Sequence, residues 1–417
     1  VLPLLLVLAL AAHPQDPAQA QPAEVIAEVR VHGNTAISEE EVLRLAEVEV
    51  GVPFEADTAA IVEKRLRASG RFANVQVLKR FASIADASKI SLVIIVDEGD
   101  VKIEWDRGSG EARTVRRRGL PVMFLPVLDF QDGYGWTYGA RFALPNAAGP
   151  RSRLAVPLTW GGDKRAAVQL EKDFERGPLD RLVAGFAVSR REHPFYEQDD
   201  DRLRLSARVE RDLLPRLRAG GTVGTERVQF LAVDTRFLQT GADLLLDTRA
   251  DPVLARNAVY ARAAWERYAL TGSDTYHQYS VDLRGYGGLF GQSIVVGRFY
   301  RSASDKVLPP FLQPILGGMD SLRGFKAGSA VGDTLVAGSV EVRTPITSPL
   351  NIAKLGVSAF FDVGTVYDHR AKLEDQQFGK GFGGSVWVTA AFFRLNFAVA
   401  KAVGGGTRFH FGTGFAY

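Results

Sequence analysis

The run Arg202-Leu203-Arg204-Leu205-Ser206-Ala207-Arg208-Val209-Glu210-Arg211-Asp212 decides the fold class. Apolar Leu203, Leu205, Ala207 and Val209 alternate with Arg202, Arg204, Ser206, Arg208 and Glu210. A period of two sorts side chains onto the two faces of a β-strand, one apolar and one charged. Residues 164–174 repeat the pattern, with Ala166, Val168 and Leu170 against Arg165, Gln169, Glu171 and Asp173. Residues 257–268 repeat it again, with Val259, Ala261, Ala263 and Trp265 against Tyr260, Arg262 and Glu266. A soluble antiparallel sandwich also alternates. Successive runs of about ten residues, each with this many charges on one face, are the mark of a transmembrane β-barrel between lipid and lumen.

Counting outward from residues 202–212 gives about sixteen antiparallel strands between residues 120 and 417, with fourteen as the alternative count. Strands are expected at 180–190, 201–212, 215–230, 239–250, 291–301, 333–345 and 354–367, and the last at 406–417. If the segment before the barrel is periplasmic, even-numbered strands should end in short turns and odd-numbered ones in longer loops. The longest connections, 191–200, 302–332 and 368–379, all follow odd strands.

Composition narrows the function. Hydrophobic content of 46% and charged content of 24% exclude a largely disordered chain. A net charge of +3 with interleaved signs argues against a nucleic-acid surface. The absence of cysteine removes disulfides, thiolate catalysis and Cys-ligated metals, and suits an exported bacterial protein. His13, His32, His193, His277, His369 and His410 show no metal-ligand spacing. There is no Gly-x-Ser-x-Gly elbow and no glycine-rich phosphate loop. The expectation is no enzyme, no cofactor and no metal.

The N-terminal segments have their own signatures. Leu2 to Ala12 is an apolar run short of the roughly 18–20 residues that span a bilayer, and Ala18-Gln19-Ala20 offers a cleavage pattern, so residues 1–20 read as a signal peptide. Val25 to Val31 alternates as a strand, and Ser38 with Glu41 forms a capping box for a helix through Ala46. Asp57 is expected to cap a second helix that Gly70 stops, and strands follow at residues 74–81 and 90–96. With Val31-x-Gly33-Asn34, Gly51-x-x-Phe54, Gly70-Arg71-Phe72 and Val96-Asp97-Glu98-Gly99, residues 23–99 resemble a POTRA domain, a small α/β module. Residues 100–119 form a junction in which Arg116-Arg117-Arg118 faces solvent or lipid headgroups.

The connection between the eleventh and twelfth strands carries Gly317-Gly318-Met319-Asp320-Ser321-Leu322-Arg323-Gly324-Phe325. A signal peptide, one POTRA-like segment, a barrel and this motif together resemble the outer-membrane assembly and secretion superfamily of BamA, TamA and FhaC. The resemblance implies that loop 302–332 inserts into the lumen and that Arg323 contacts acidic residues on the inner wall. The matching positions are Glu341 and Asp362. Alternation independently turns Glu341 inward, since Val340 and Val342 belong to the lipid face. Asp362 faces the lumen if its strand is regularly pleated, which the flanking Phe360 and Phe361 leave open. Asp247 and Arg249 match a second family motif, with Asn257 where the family usually has a glycine. Gly412, Phe415 and Tyr417 match the C-terminal signal of bacterial barrels.

By the same resemblance the chain sits in the bacterial outer membrane with its POTRA domain in the periplasm. It inserts outer-membrane proteins or translocates polypeptides, through POTRA docking and a seam between the first and last strands. Implied partners are outer-membrane lipids, unfolded or nascent polypeptide clients, and periplasmic chaperones or another partner at the POTRA domain. The alternatives are a two-partner-type secretion transporter and, from a different class, a structural or passive pore protein without client handling.

Overall fold

The computed structural model of the chain describes residues 24–34, 37–55, 57–72, 74–83, 86, 88–98, 101–105, 112–116, 122–249, 253–347, 353–390 and 393–415. The expected signal peptide, residues 1–20, and Arg117 and Arg118 of the junction lie outside them. The chain divides into two compact units, Val1–Arg117 and Arg118–Tyr417.

In the first unit, strand β1 (Val25–His32) is followed by helices α1 (Glu39–Ala46) and α2 (Thr58–Ala68) and strands β2 (Asn74–Phe81) and β3 (Lys89–Asp97). The sheet order is β1-β3-β2, with β3 parallel to β1 and antiparallel to β2. Ser38 caps α1, its Oγ accepting from the Glu41 N–H at 3.3 Å. Asp57 does not cap α2 through its side chain, because its backbone is already helical. The Thr58 hydroxyl instead accepts from the Glu55 N–H at 2.9 Å. The helices close over one sheet face, burying Val42, Val62, Leu66, Leu92 and Ile94. The junction holds a short antiparallel pair, β4 (Val101–Trp105) with β5 (Ala112–Arg116).

Among the described residues, sixteen antiparallel strands close the second unit into a barrel, so the count of fourteen falls. They are β6 (Met123–Gln131), β7 (Gly135–Pro145), β8 (Ser152–Gly161), β9 (Lys164–Asp173), β10 (Arg181–His193), β11 (Gln198–Leu214), β12 (Leu217–Phe230) and β13 (Val233–Asp247). After them come β14 (Ala258–Leu270), β15 (Thr275–Gly288) and β16 (Ile294–Ser304). The minor pair β17 (Ile315–Leu316) and β18 (Ala330–Val331) lies inside the long connection. The wall resumes with β19 (Thr334–Thr347), β20 (Ala353–Tyr367), β21 (Gly379–Ala390), β22 (Phe393–Ala402) and β23 (Thr407–Phe415).

The dyad pattern becomes two surfaces. Leu203, Leu205, Val259 and Val340 are exposed on the outer face, where lipid replaces water as the apolar solvent. Inward charges pair within a strand and across one or two strands of the wall. Arg208 Nη1 meets Asp243 at 2.6 Å, and Arg202 meets Asp200 at 2.6 Å and Glu226 at 3.0 Å. Each pair satisfies charges that a barrel interior would otherwise strand away from bulk water.

Two connections differ from expectation. Residues 191–200 form no long loop: β10 and β11 pair out to His193 and Gln198 and turn through 194–197. Conversely, residues 248–257 form a long connection after an even strand. Its length is explained by burial, since Leu254 and Ala255 turn inward against Tyr286, Ile294, Val296 and Trp387. Similarly, β13 starts at Val233, six residues before the expected 239, because a tight turn at Leu231, with φ 52°, reverses the chain early.

Candidate functional site in the barrel lumen

Loop 305–333 runs from β16 to β19 and lies inside the barrel. The Phe311 carbonyl accepts from Arg202 Nη2 of β11 at 2.9 Å, and the Asp320 carbonyl accepts from Arg298 Nη1 of β16 at 2.7 Å. Tyr196 Oη, in the β10–β11 turn, donates to Gln313 Oε1 at 2.8 Å. The loop is thereby anchored to the wall at β11, at the β10–β11 turn and at β16.

Within it, residues 317–325 form a compact hook. Gly317 has φ +105°, and a Cβ there would fall 2.0 Å from the Lys326 carbonyl oxygen, so only glycine fits. Gly318 N–H donates to the Phe325 carbonyl at 3.0 Å, closing the hook at its base. Leu322 is fully buried with Leu316, Leu335 and Ala337, while Phe325 packs against the same cluster. These apolar anchors fix the backbone on either side of Arg323.

Arg323 is clamped. Its Nε and Nη2 donate to Asp362 Oδ2 and Oδ1 at 2.7 and 2.8 Å, a two-pronged fit of guanidinium to carboxylate. Its own backbone N–H donates to Asp362 Oδ2 at 3.0 Å, and Nη1 donates to Glu341 Oε2 at 2.8 Å. The guanidinium lies 3.4 Å from the centre of the Phe360 ring. All three charged residues are buried, with exposures of 6% for Arg323, 7% for Glu341 and 2% for Asp362. Regular pleating of β20 turns Phe360 and Asp362 inward and leaves Phe361 outward, 46% exposed. Glu341 has a second partner, Arg343 Nε at 2.8 Å, and Arg343 Nη1 donates to the Val253 carbonyl of the inturned connection at 3.0 Å.

The second motif lies elsewhere on the lumen wall. Arg249 donates to Asp247 through Nε at 2.9 Å and Nη2 at 2.8 Å, and stacks 4.4 Å from the Tyr260 ring centre. Arg249 and Arg323 touch the same polar cavity of about 570 Å³ without touching each other. Gly412 also lines this cavity. Phe415 ends β23 opposite Phe393, and Tyr417 lies outside the described residues.

Two contributors have no sequence signal of their own. Gly381 on β21 leaves the space into which the loop backbone fits: a Cβ there would fall 1.9 Å from the Arg323 carbonyl oxygen. His410 on β23 accepts the Gly324 N–H at Nε2, 2.9 Å away. Glycines and isolated histidines are common in strands, and only the loop's seating distinguishes these two.

Comparison with known proteins agrees with this architecture. The Omp85 superfamily domain matches residues 231–417, and POTRA, a surface antigen variable number repeat, matches residues 24–99. No curated protein sequence matches. Among solved structures, BamA from Haemophilus ducreyi lacking POTRA domains 1-3 aligns at a TM-score of 0.61 and 13% identity, over 95% of this chain and 84% of that one. CdiB from Escherichia coli aligns at 0.55 and 12%, over 98% and 93%. The chain thus carries a POTRA domain and, in the second half of its sixteen-stranded outer-membrane barrel, an Omp85 superfamily domain.

Proposed function

We propose that the protein inserts client polypeptides into the outer membrane or passes them across it, using the seam between β6 and β23 as the docking edge. One observation carries this reading. Among the described residues β6 and β23 share a single residue pair, Phe130 with Thr413, whereas β6 pairs with β7 along its whole length. Beyond that pair the described residues show no further ladder between the two strands, so the seam is held by far less backbone pairing than its neighbours. An unpaired edge is a template for another strand, and a client strand adds to it by β-augmentation.

The POTRA domain, placed in the periplasm, offers a second such edge. The start of β1 is covered, since Ile26 N–H donates to the Val52 carbonyl at 3.0 Å and its carbonyl accepts from Gly51 at 2.8 Å. β2 is the outer strand on the other side and is the docking edge in this reading. Arg323, Glu341 and Asp362 serve to seat the loop, and no catalytic step is involved. The occupied lumen speaks against a passive pore, because the loop and the inturned residues 253–257 both lie within the barrel wall. A two-partner-type transporter would first have to clear the loop from the lumen.

Depletion followed by proteomics of outer-membrane and secreted fractions tests the reading. A loss of specific barrels or secreted proteins is expected. Unchanged levels of all of them would overturn it.

A further inference from the structure

His410 has both ring nitrogens engaged although its side chain is only 2% exposed. Gly324 N–H donates to Nε2, and a backbone amide can only donate. Nε2 therefore holds the lone pair and Nδ1 carries the proton, which it donates to Asp132 Oδ2. Asp132 follows directly on β6. One neutral imidazole thus joins the end of the first barrel strand, the last strand and the arginine hook.

Its position gives this contact weight. Among the described residues the backbone pairing of β6 with β23 consists of Phe130 with Thr413. Asp132 and His410 lie just beyond that pair, toward the end from which the long loop departs, where the ladder has stopped. On the outer face Phe130, Trp136 and Phe411 pack with ring centres 5.2 to 5.5 Å apart. Side chains on both faces, aromatic outside and polar inside, do the work that backbone hydrogen bonds do elsewhere in the wall. The hook is pressed against the same turn: a Cβ on Gly318 would lie 3.1 Å from Asp132 Oδ2, and one on Gly133 would lie 2.7 Å from Ala327 Cβ.

We propose that His410 is a clasp coupling the seating of the arginine loop to closure of the seam. While Gly324 occupies Nε2, the ring is held in the tautomer and orientation that ties β23 to Asp132. When the loop lifts, that constraint is lost and the inner face of the seam loosens. When a strand draws β23 away from β6, His410 leaves Gly324 and the hook loses a contact. Such coupling is reciprocal by necessity. The proposal rests on the seam reading above and adds its control: loop and seam open together.

Amide hydrogen exchange of the full chain in lipid nanodiscs, read by mass spectrometry segment by segment, tests this. Asp132→Ala cuts the tie to β6, and Arg323→Ala unseats the hook without touching the seam; because Asp132 Oδ2 also lies against Gly318, Asp132→Asn is the control that keeps this packing. Asp132→Ala should speed exchange in residues 316–325 about tenfold, and Arg323→Ala should do the same in residues 407–413, with β10 to β13 within about twofold of native. Asp132→Asn, which keeps an acceptor oxygen for Nδ1–H, should stay close to native. The clasp is overturned if either cross-effect is missing, if exchange rises equally through the whole barrel, or if Asn and Ala at 132 behave alike. His410→Phe is the direct variant, and Asp132→Ala keeps the test intact should that protein fail to fold. Client levels after depletion are read separately, so coupled exchange with unchanged clients would overturn the proposed function and leave the clasp standing.

Discussion

Replacing Arg323 by alanine strands two buried carboxylates unequally. Asp362 loses both prongs of the guanidinium and keeps only the Arg323 backbone N–H. Glu341 keeps Arg343 at 2.8 Å. Removing one member of a buried ion pair costs about 3–5 kcal/mol when the other charge is left unpaired. Here only Asp362 is left so, and the adjoining polar cavity of about 570 Å³ gives water a route toward it. The expected loss for Arg323→Ala is about 3 kcal/mol, or roughly a hundredfold in the folding equilibrium. The two carboxylates should therefore couple to Arg323 by different amounts. A double-mutant cycle with Asp362→Ala should give about 2–3 kcal/mol, and one with Glu341→Ala about 1 kcal/mol. Urea unfolding of the full chain in detergent micelles, followed by tryptophan fluorescence, measures both. Trp136, Trp160, Trp265 and Trp387 all sit in barrel strands, so the signal is weighted to the barrel. Additivity within about 0.5 kcal/mol for the Arg323–Asp362 cycle, or equal coupling in both cycles, would refute the reasoning.

Gly381→Ala places a methyl group 1.9 Å from the Arg323 carbonyl oxygen and should cost about 1–3 kcal/mol in the same unfolding assay. The control Gly297→Ala, with nothing within 4 Å of the added carbon, should stay within about 0.5 kcal/mol. Asn257 adopts φ 50° and its Oδ1 accepts from the Gly288 N–H at 3.2 Å. Asn257→Val should therefore lose about 1–2 kcal/mol, whereas Asn257→Gly, which tolerates that backbone, should lose clearly less. Arg343→Ala removes its bond to the Val253 carbonyl, and exchange in residues 253–257 should speed up about tenfold while α1 and α2 of the POTRA domain are unaffected.

How much of this was legible in the chain follows from the range of each signal. Alternation is local, so Leu203 and Arg204 announce their faces without knowledge of any partner, and sixteen such runs announce a barrel. The capping box at Ser38 and the stop at Gly70 are equally local. Asp57 was misleading because a cap depends on backbone angles that its residue type does not dictate. Residues 191–200 read as a loop because polar residues at strand ends resemble those in turns, and only cross-strand pairing of Arg190 with Asp201 shows the difference. The inturn at 248–257 was hidden for the opposite reason, since Leu254 and Ala255 gain their burial from Tyr286 and Trp387, far away in the chain.

The sequence by itself determined a two-faced strand repeated around a barrel, an α/β module before it, and an inward Glu341, because lipid and lumen impose a period of two on every strand. Tertiary structure alone decided which face Asp362 takes, that Gly381 makes room for the Arg323 backbone, and that His410 meets both Gly324 and Asp132. It also decided that β6 and β23, among the described residues, meet at one residue pair. Those outcomes depend on where the barrel closes and how far a loop reaches across its lumen, and neither is encoded in the pattern of any single segment.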